Sequence, residues 1–241
     1  MILKKEINRY VNSCLLDFNN EIRPAGIFDL FQDIAKNHVT DLGYSFYNMY
    51  ELGYYWVLLS QEYKVVSRLP LFNEEIKIVT YPKKREKLEF EREFEIRDKD
   101  DNLLIIANSN WVVIDIKNRM LSKAKDIEFD GEYYQNIHFT DKPIRRLNLN
   151  PNNVIEEFNY KVLLSDIDSN HHMNNAKYLD VIYNMHIGFE LNKIKKILIS
   201  FDHEVKLNET INVVYFKNES NDSCYIGYVN DIKCFQVIIK E

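Results

Sequence analysis

Glycine and proline are both scarce. Six glycines and five prolines in 241 residues leave few places where the chain must break, so long, regular elements are expected. Cysteine is scarcer still. Cys14, Cys224 and Cys234 are an odd number at no metal-ligand spacing, which excludes a disulfide framework and points to reduced thiols. No run of about 18 apolar residues exists, which excludes a membrane-spanning helix. The opening MILKKEINRY reaches Lys4 at once, so no signal peptide is expected and a cytoplasmic location is. Basic residues do not exceed acidic ones. The 31 Lys and Arg against 37 Asp and Glu give a net charge of −6, which excludes a general nucleic-acid binder. No G-x-S-x-G stretch occurs, so a serine nucleophile is not expected.

What is present is one pattern used twice. Ile27, Phe31, Ile34, Ala35, His38 and Leu42 recur at the spacing of one helical face, with Pro24 and Gly26 before them and Gly43 after. Strand-like stretches follow. YYWVLLSQEYKVV begins at Tyr54, EEIKIVTY puts Ile76 and Ile78 on one face, EFEREFEIRD groups Phe90, Phe94 and Ile96, and NLLIIANSNWVVIDI completes the set. The second half repeats the order. FNYKVLL reads as a strand, a helix after Asn174 carries Tyr178, Ile182, Met185 and Phe189 on one stripe, and KKILISFDHEV, TINVVYF, SCYIGYV and IKCFQVII read as strands. Residues 121–157, rich in Asp, Asn and Pro, are longer than an ordinary loop and read as a linker. The expected organisation is α+β, with a first unit at 1–120 and a second at 158–241.

DIDSNHHMNN, residues 166–175, concentrates hydrogen-bonding groups at the mouth of the second half's helix. Asn174 or Asn175 suits an N-cap, and the first-turn N–H groups behind it would face the polar run. Capping alone needs neither an acid at 168 nor an imidazole at 172. Metal binding by Asp166, Asp168, His171 and His172 is the weaker alternative, because adjacent histidines project apart and no further His or Cys stands at a familiar spacing. His38 and His186, within helical segments, read as structural. The matching place in the first half, NNEIRPAGIFD, has no histidine, so the duplication is expected to be chemically one-sided.

The pattern Asp166, Asp168, Asn170, His172, Asn174, Asn175 and Tyr178 resembles the signature of acyl-ACP thioesterases, and LFQDIAKNHVTDLG and ANSNWVVIDIKNRM resemble that family's first-half segments. The resemblance spans nearly the whole chain. It implies a tandem hot-dog fold, each half a long antiparallel sheet around one central helix. It also implies hydrolysis of fatty acyl thioesters on acyl carrier protein, with a catalytic set of Asp168, Asn170, His172 and Glu204, the last expected at the end of a strand. No cofactor and no metal are implied, and a homodimer is left open. Many plant members carry Cys directly after the Glu; here Val205 stands there, so that thiol is not essential. The first half is expected to contribute mainly acyl-pocket walls. Rivals are an acyl-CoA thioesterase of the same fold and a catalytically silent acyl-binding protein.

The residue types suit the chemistry. A carboxylate can take a proton from water, while an amide and an imidazole orient water and carbonyl. N–H groups at a helix terminus can stabilise a developing oxyanion. Glu204 and Asp168 both remain candidates for the base. For an acidic carrier, three basic clusters are candidate docking points: Lys83, Lys84, Arg85 and Lys87; Arg145 and Arg146; and Lys193, Lys195 and Lys196.

Overall fold

A computed structural model of the protein describes residues 1–85, 87–141, 143, 145–185 and 191–241. His186 and Phe189 lie outside the described residues. The first half runs β1 (Ile2–Leu3), β2 (Lys5–Tyr10), α1 (Pro24–Asp41), α2 (Phe46–Glu51), β3 (Tyr54–Val65), β4 (Glu75–Pro82), β5 (Phe90–Asp98) and β6 (Leu103–Asp115). After β7 (Glu132–Tyr133) the second half runs β8 (Glu156–Lys161), α3 (Lys177–Met185), β9 (Lys196–Phe201), β10 (Thr210–Lys217), β11 (Ser223–Val229) and β12 (Ile232–Lys240).

Ten of these strands form one sheet in the order β2-β4-β5-β6-β3-β9-β12-β11-β10-β8. Each half contributes five strands in the same relative order, so the topology is duplicated. The halves meet where β3 pairs antiparallel with β9, Ser60 opposite Ser200 and Lys64 opposite Lys196. The scarcity of glycine and proline is visible in β3 and β6, which run 12 and 13 residues.

α1 starts as its sequence dictates. Pro24 occupies the first turn, where its missing N–H costs nothing, and Ile27, Phe28, Phe31 and Ile34 are fully buried against the sheet. Burying each such side chain contributes roughly 1.5–3 kcal/mol. Phe31 lies 4.8 Å from Phe94 of β5, and Phe28 lies 6.0 Å from Tyr63 of β3. Gly26 permits this approach, because a Cβ there would sit 2.7 Å from the Leu15 carbonyl oxygen. α3 presents Tyr178, Leu179, Ile182 and Met185 to the same core and packs against α1.

The sheet's other face carries buried polar side chains, and the segment between the halves lies on them. Glu93, fully buried, accepts the His138 N–H at 2.7 Å and the Tyr81 hydroxyl at 3.1 Å. Ser200 accepts the Leu147 N–H, while Gln236 accepts from Leu149 and donates to the Leu147 carbonyl at 2.7 Å. A segment with little secondary structure of its own thus has its backbone groups satisfied by strand side chains. Two features escape the sequence pattern: the short helix α2, and the pairing of β1 with β7.

Candidate active site

The loop between β8 and α3 is built by its own side chains. A 3-10 turn at Leu164–Asp166 buries Asp166, whose Oδ2 accepts the Leu163 N–H and the Tyr160 hydroxyl, each at 2.8 Å. Asp166 is therefore a scaffold group turned away from any ligand. Ile167 and Met173 then pair as an isolated bridge, closing a tight loop over residues 168–172. Inside it Asp168 Oδ1 accepts the Asn170 N–H at 2.8 Å, the side-chain turn that Asp favours. The Asp168 N–H bonds the His172 carbonyl at 2.9 Å, and His171 takes a left-handed φ of 64° to complete the reversal. His171 and His172 do not converge with the acids as metal ligands, and among the described residues no such cluster of three forms.

His172, at the end of the loop, faces Glu204. Its Nε2 lies 3.0 Å from Glu204 Oε2, with the imidazole 30% and the carboxylate 51% exposed. Glu204 is not on a strand. β9 ends at Phe201, and residues 202–206 continue beyond it as irregular chain, because the N–H groups of Asp202 and His203 both turn to the Cys234 carbonyl. Val205, fully buried, ties this segment to the loop by accepting the Met173 N–H at 2.8 Å. Its own N–H meets the Tyr178 hydroxyl. That ring is fixed edge-on between Phe201 and Phe235, at 5.3 and 5.0 Å. Burial first, then the neighbouring Cys234, Glu204 and Asp168 groups, push the Tyr178 hydroxyl well above its ordinary titration range.

Asn174 is the cap: its Oδ1 accepts the Ala176 N–H at 2.9 Å and its carbonyl the Lys177 N–H at 2.9 Å. Two N–H groups at the mouth of α3 are therefore already used by Asn174, which narrows what the terminus can offer an oxyanion.

Two first-half residues reach this region without having been singled out in the sequence. Gln32 of α1, 7% exposed, donates from Nε2 to Asn174 Oδ1 at 3.3 Å. Its signal was a polar residue one turn from Phe28 on the helix's buried face. The hydroxyl of Tyr55, on β3, is pushed up by burial and then by the Glu204 carboxylate. No spacing in the sequence announces that influence.

The first half contains the same loop. Positions 17 and 168, 19 and 170, 20 and 171, and 21 and 172 stand at one constant spacing. Leu16 and Ile22 form the matching bridge, Asn20 takes φ 61°, and the Asn19 N–H bonds Asp17 Oδ1 at 2.8 Å. The first half thus retains the turn but has no histidine in it. Glu21 replaces His172. Counting back from the matching turns at Asn73 and Asn208, Leu69 stands where the second half has Glu204.

Cys224 and Cys234 are buried strand residues, their thiols pushed up to about 11 chiefly by desolvation. Cys14 lies instead in the 3-10 turn Ser13–Leu15 and is exposed. The basic clusters are largely engaged within the chain. Lys83 pairs with Glu91 at 2.9 Å, Arg85 donates to the Ala124 carbonyl and covers the Phe90 ring, and Lys196 pairs with Glu62. Arg146 pairs with Asp202, two residues from Glu204, and Arg145 keeps 56% of its side chain exposed beside Glu89.

Compared with known proteins, residues 6–131 match the model of the acyl-ACP thioesterase N-terminal domain and residues 149–238 that of the C-terminal domain. The chain belongs to the acyl-ACP thioesterase family. It is 27% identical over 166 residues to the chloroplastic acyl-[acyl-carrier-protein] hydrolase FATB2 of Cuphea viscosissima. It is 28% identical over 177 residues to the chloroplastic palmitoyl-acyl carrier protein thioesterase of Cuphea hookeriana. Each match takes in 64% of this chain and 40% of the relative, so the chain spans well under half the length of these curated relatives. Among solved structures, an acyl-ACP thioesterase from Bacteroides thetaiotaomicron superposes with a TM-score of 0.87 at 19% identity, over 98% of this chain and 96% of that one. The 12:0-ACP thioesterase from Umbellularia californica gives 0.83 at 18% identity, over 99% and 96%. At such identities the likeness is one of fold, and it establishes the tandem hot-dog architecture.

Proposed function

We propose that the protein hydrolyses the thioester joining a fatty acyl chain to acyl carrier protein, releasing the free acid, and that it does so in the cytoplasm. The observation that carries the reading is the 3.0 Å approach of His172 to a half-exposed Glu204, on a loop whose other hydrogen bonds are internally satisfied. Hydrolysis forms a C–O bond from water and breaks the C–S bond. One proton leaves the water, and the departing thiolate takes one up.

Glu204 is the better base. Both Asp168 oxygens face Asn170, at 2.8 and 3.4 Å, whereas Glu204 has His172 on one side and open access on the other. His172 orients the carboxylate, and the Asn170 amide directs the carbonyl. The acyl carrier protein is the macromolecular substrate of this reading, and the first half supplies walls for the acyl chain.

Hydrolysis of acyl-ACP and acyl-CoA thioesters of graded length tests it. Preferred turnover of acyl-ACP is expected. Preference for acyl-CoA would reassign the substrate, and turnover of neither would favour an acyl-binding role.

A further inference from the structure

We propose that Gln32, contributed by the first half, is a positioning residue for the catalytic loop of the second. The inference rests on the function proposed above. Gln32 is a buried polar side chain on the α1 face that also carries Phe28, Phe31 and Ala35, and its amide crosses to Asn174 at 3.3 Å. Asn174 sits between the loop and α3. Its N–H bonds the Asp166 carbonyl at 2.8 Å, and its Oδ1 and carbonyl hold the start of the helix. A hydrogen bond to that Oδ1 fixes the rotation of the one side chain joining the base of the loop to the helix. His172 and Asn170 lie two and four residues back, inside the loop that the Ile167–Met173 bridge closes.

The duplication supplies an internal comparison. Gln32 and Tyr183 stand at the same constant spacing as Asp17 and Asp168. Tyr183 of α3 reaches the first-half loop as Gln32 of α1 reaches the second, its hydroxyl donating to Asp17 Oδ2 at 2.7 Å. The two donors are counterparts across the α1–α3 packing, which the Arg23–Asp180 pair also spans, whereas their acceptors differ: Asn174 corresponds to Arg23, and Asp17 to Asp168. One braces a loop with an imidazole and an acid facing it. The other braces a loop that has neither. A role confined to holding the halves together would make the two contacts equivalent; a positioning role makes only Gln32 matter for turnover.

The test uses the full chain with three variants. Gln32→Leu keeps the volume and removes the donor, and kcat should fall on the order of ten-fold with KM unchanged, the scale on which small displacements of a positioned group act. Tyr183→Phe should lower Tm and leave kcat within two-fold. Gln32→Glu can donate to Asn174 only when protonated. Its activity relative to wild type should therefore rise as pH falls through the new carboxyl's titration, while the Gln32→Leu ratio stays flat. His172 imidazole NMR signals should move in Gln32→Leu and stay in Tyr183→Phe, a readout independent of turnover. Unmoved His172 signals, an unchanged kcat in Gln32→Leu, or equal kcat losses in Gln32→Leu and Tyr183→Phe would overturn the inference. A wild-type chain inactive on every thioester would instead overturn the proposed function, and the His172 signals would still decide the role of Gln32.

Discussion

Replacing Glu204 by Gln separates catalysis from stability more cleanly than any other change at the site. Gln keeps the length and the capacity to bond His172 Nε2, and it removes only the ability to accept a full proton from water. The stability term is small. The His172–Glu204 pair is 30% and 51% exposed, and pairs so screened contribute about 0–1 kcal/mol. For a chain of this size that moves Tm by no more than about 2–4 °C. The catalytic term is larger: a positioned general base contributes on the order of 10²–10⁴ in rate, or roughly 2.7–5.5 kcal/mol of activation free energy. Thiol release from saturating acyl-ACP should fall at least a hundred-fold, while thermal unfolding and acyl-ACP binding stay near wild type. A folded Glu204→Gln protein retaining more than half of kcat would refute the assignment and leave Asp168 as the base.

Three further outcomes follow from the same geometry. With Cys14, Cys224 and Cys234 all changed to Ser, hydrolysis should persist, and on the native wild type a thiol reagent at pH 8 should titrate Cys14 alone; a folded, inactive triple variant would demand a cysteine mechanism. His38 is held down to about 3 by burial and then by the Arg92 guanidinium, whose Nη1 lies 2.9 Å from its Nδ1; the unfolded chain therefore binds the extra proton first, and stability is lost as pH falls from 6.5 toward 3. That loss is about 2 kcal/mol at pH 5, and denaturant titrations of His38→Gln at pH 7.5 and 5 should show a pH dependence smaller by that amount. Arg145→Glu, at an exposed cation adjoining the Arg146–Asp202 pair, should lower kcat/KM for acyl-ACP at low salt, lose the difference at high salt and spare a small carrier-free thioester; equal salt response for both substrates would remove electrostatic docking.

The periodic parts of the molecule were legible because they bury one face. Ile27, Phe31, Ile34 and Ala35 of the α1 stripe and the pairs Ile76 with Ile78 and Phe94 with Ile96 enter the main core, since alternation and helical spacing report which face meets apolar neighbours, while Leu42 ends the stripe half-buried and Phe90 joins a separate cluster. The loop 166–175 was legible as a polar cluster, yet its division of labour was not. Asp166 and Asp168 look alike in sequence, and only the fold shows the first buried under Tyr160 and the second shaping the turn at Asn170. The strand expected to carry Glu204 stops at Phe201, because what ends it is a carbonyl on β12, a partner far away in sequence. Gln32 was missed for the same reason: it meets Asn174 across the seam between halves, where register and helix packing, rather than local pattern, decide who meets whom.

The two loops together show which residues define the site. Both halves keep Asp-x-Asn, both close it with a bridge, and both place a left-handed residue after the Asn, at φ 61° and 64°. Asp17 and Asn19 do this without His172's counterpart or any acid facing them, because Glu21 and Leu69 occupy those places. The Asp–Asn pair is therefore sufficient to build the turn and insufficient to mark chemistry. What distinguishes the second loop is an imidazole at its end and a carboxylate 3.0 Å away on a segment tied to the loop through Val205, Met173 and Tyr178. The turn is thus shared by both halves, and the imidazole and the carboxylate facing it are added in one half.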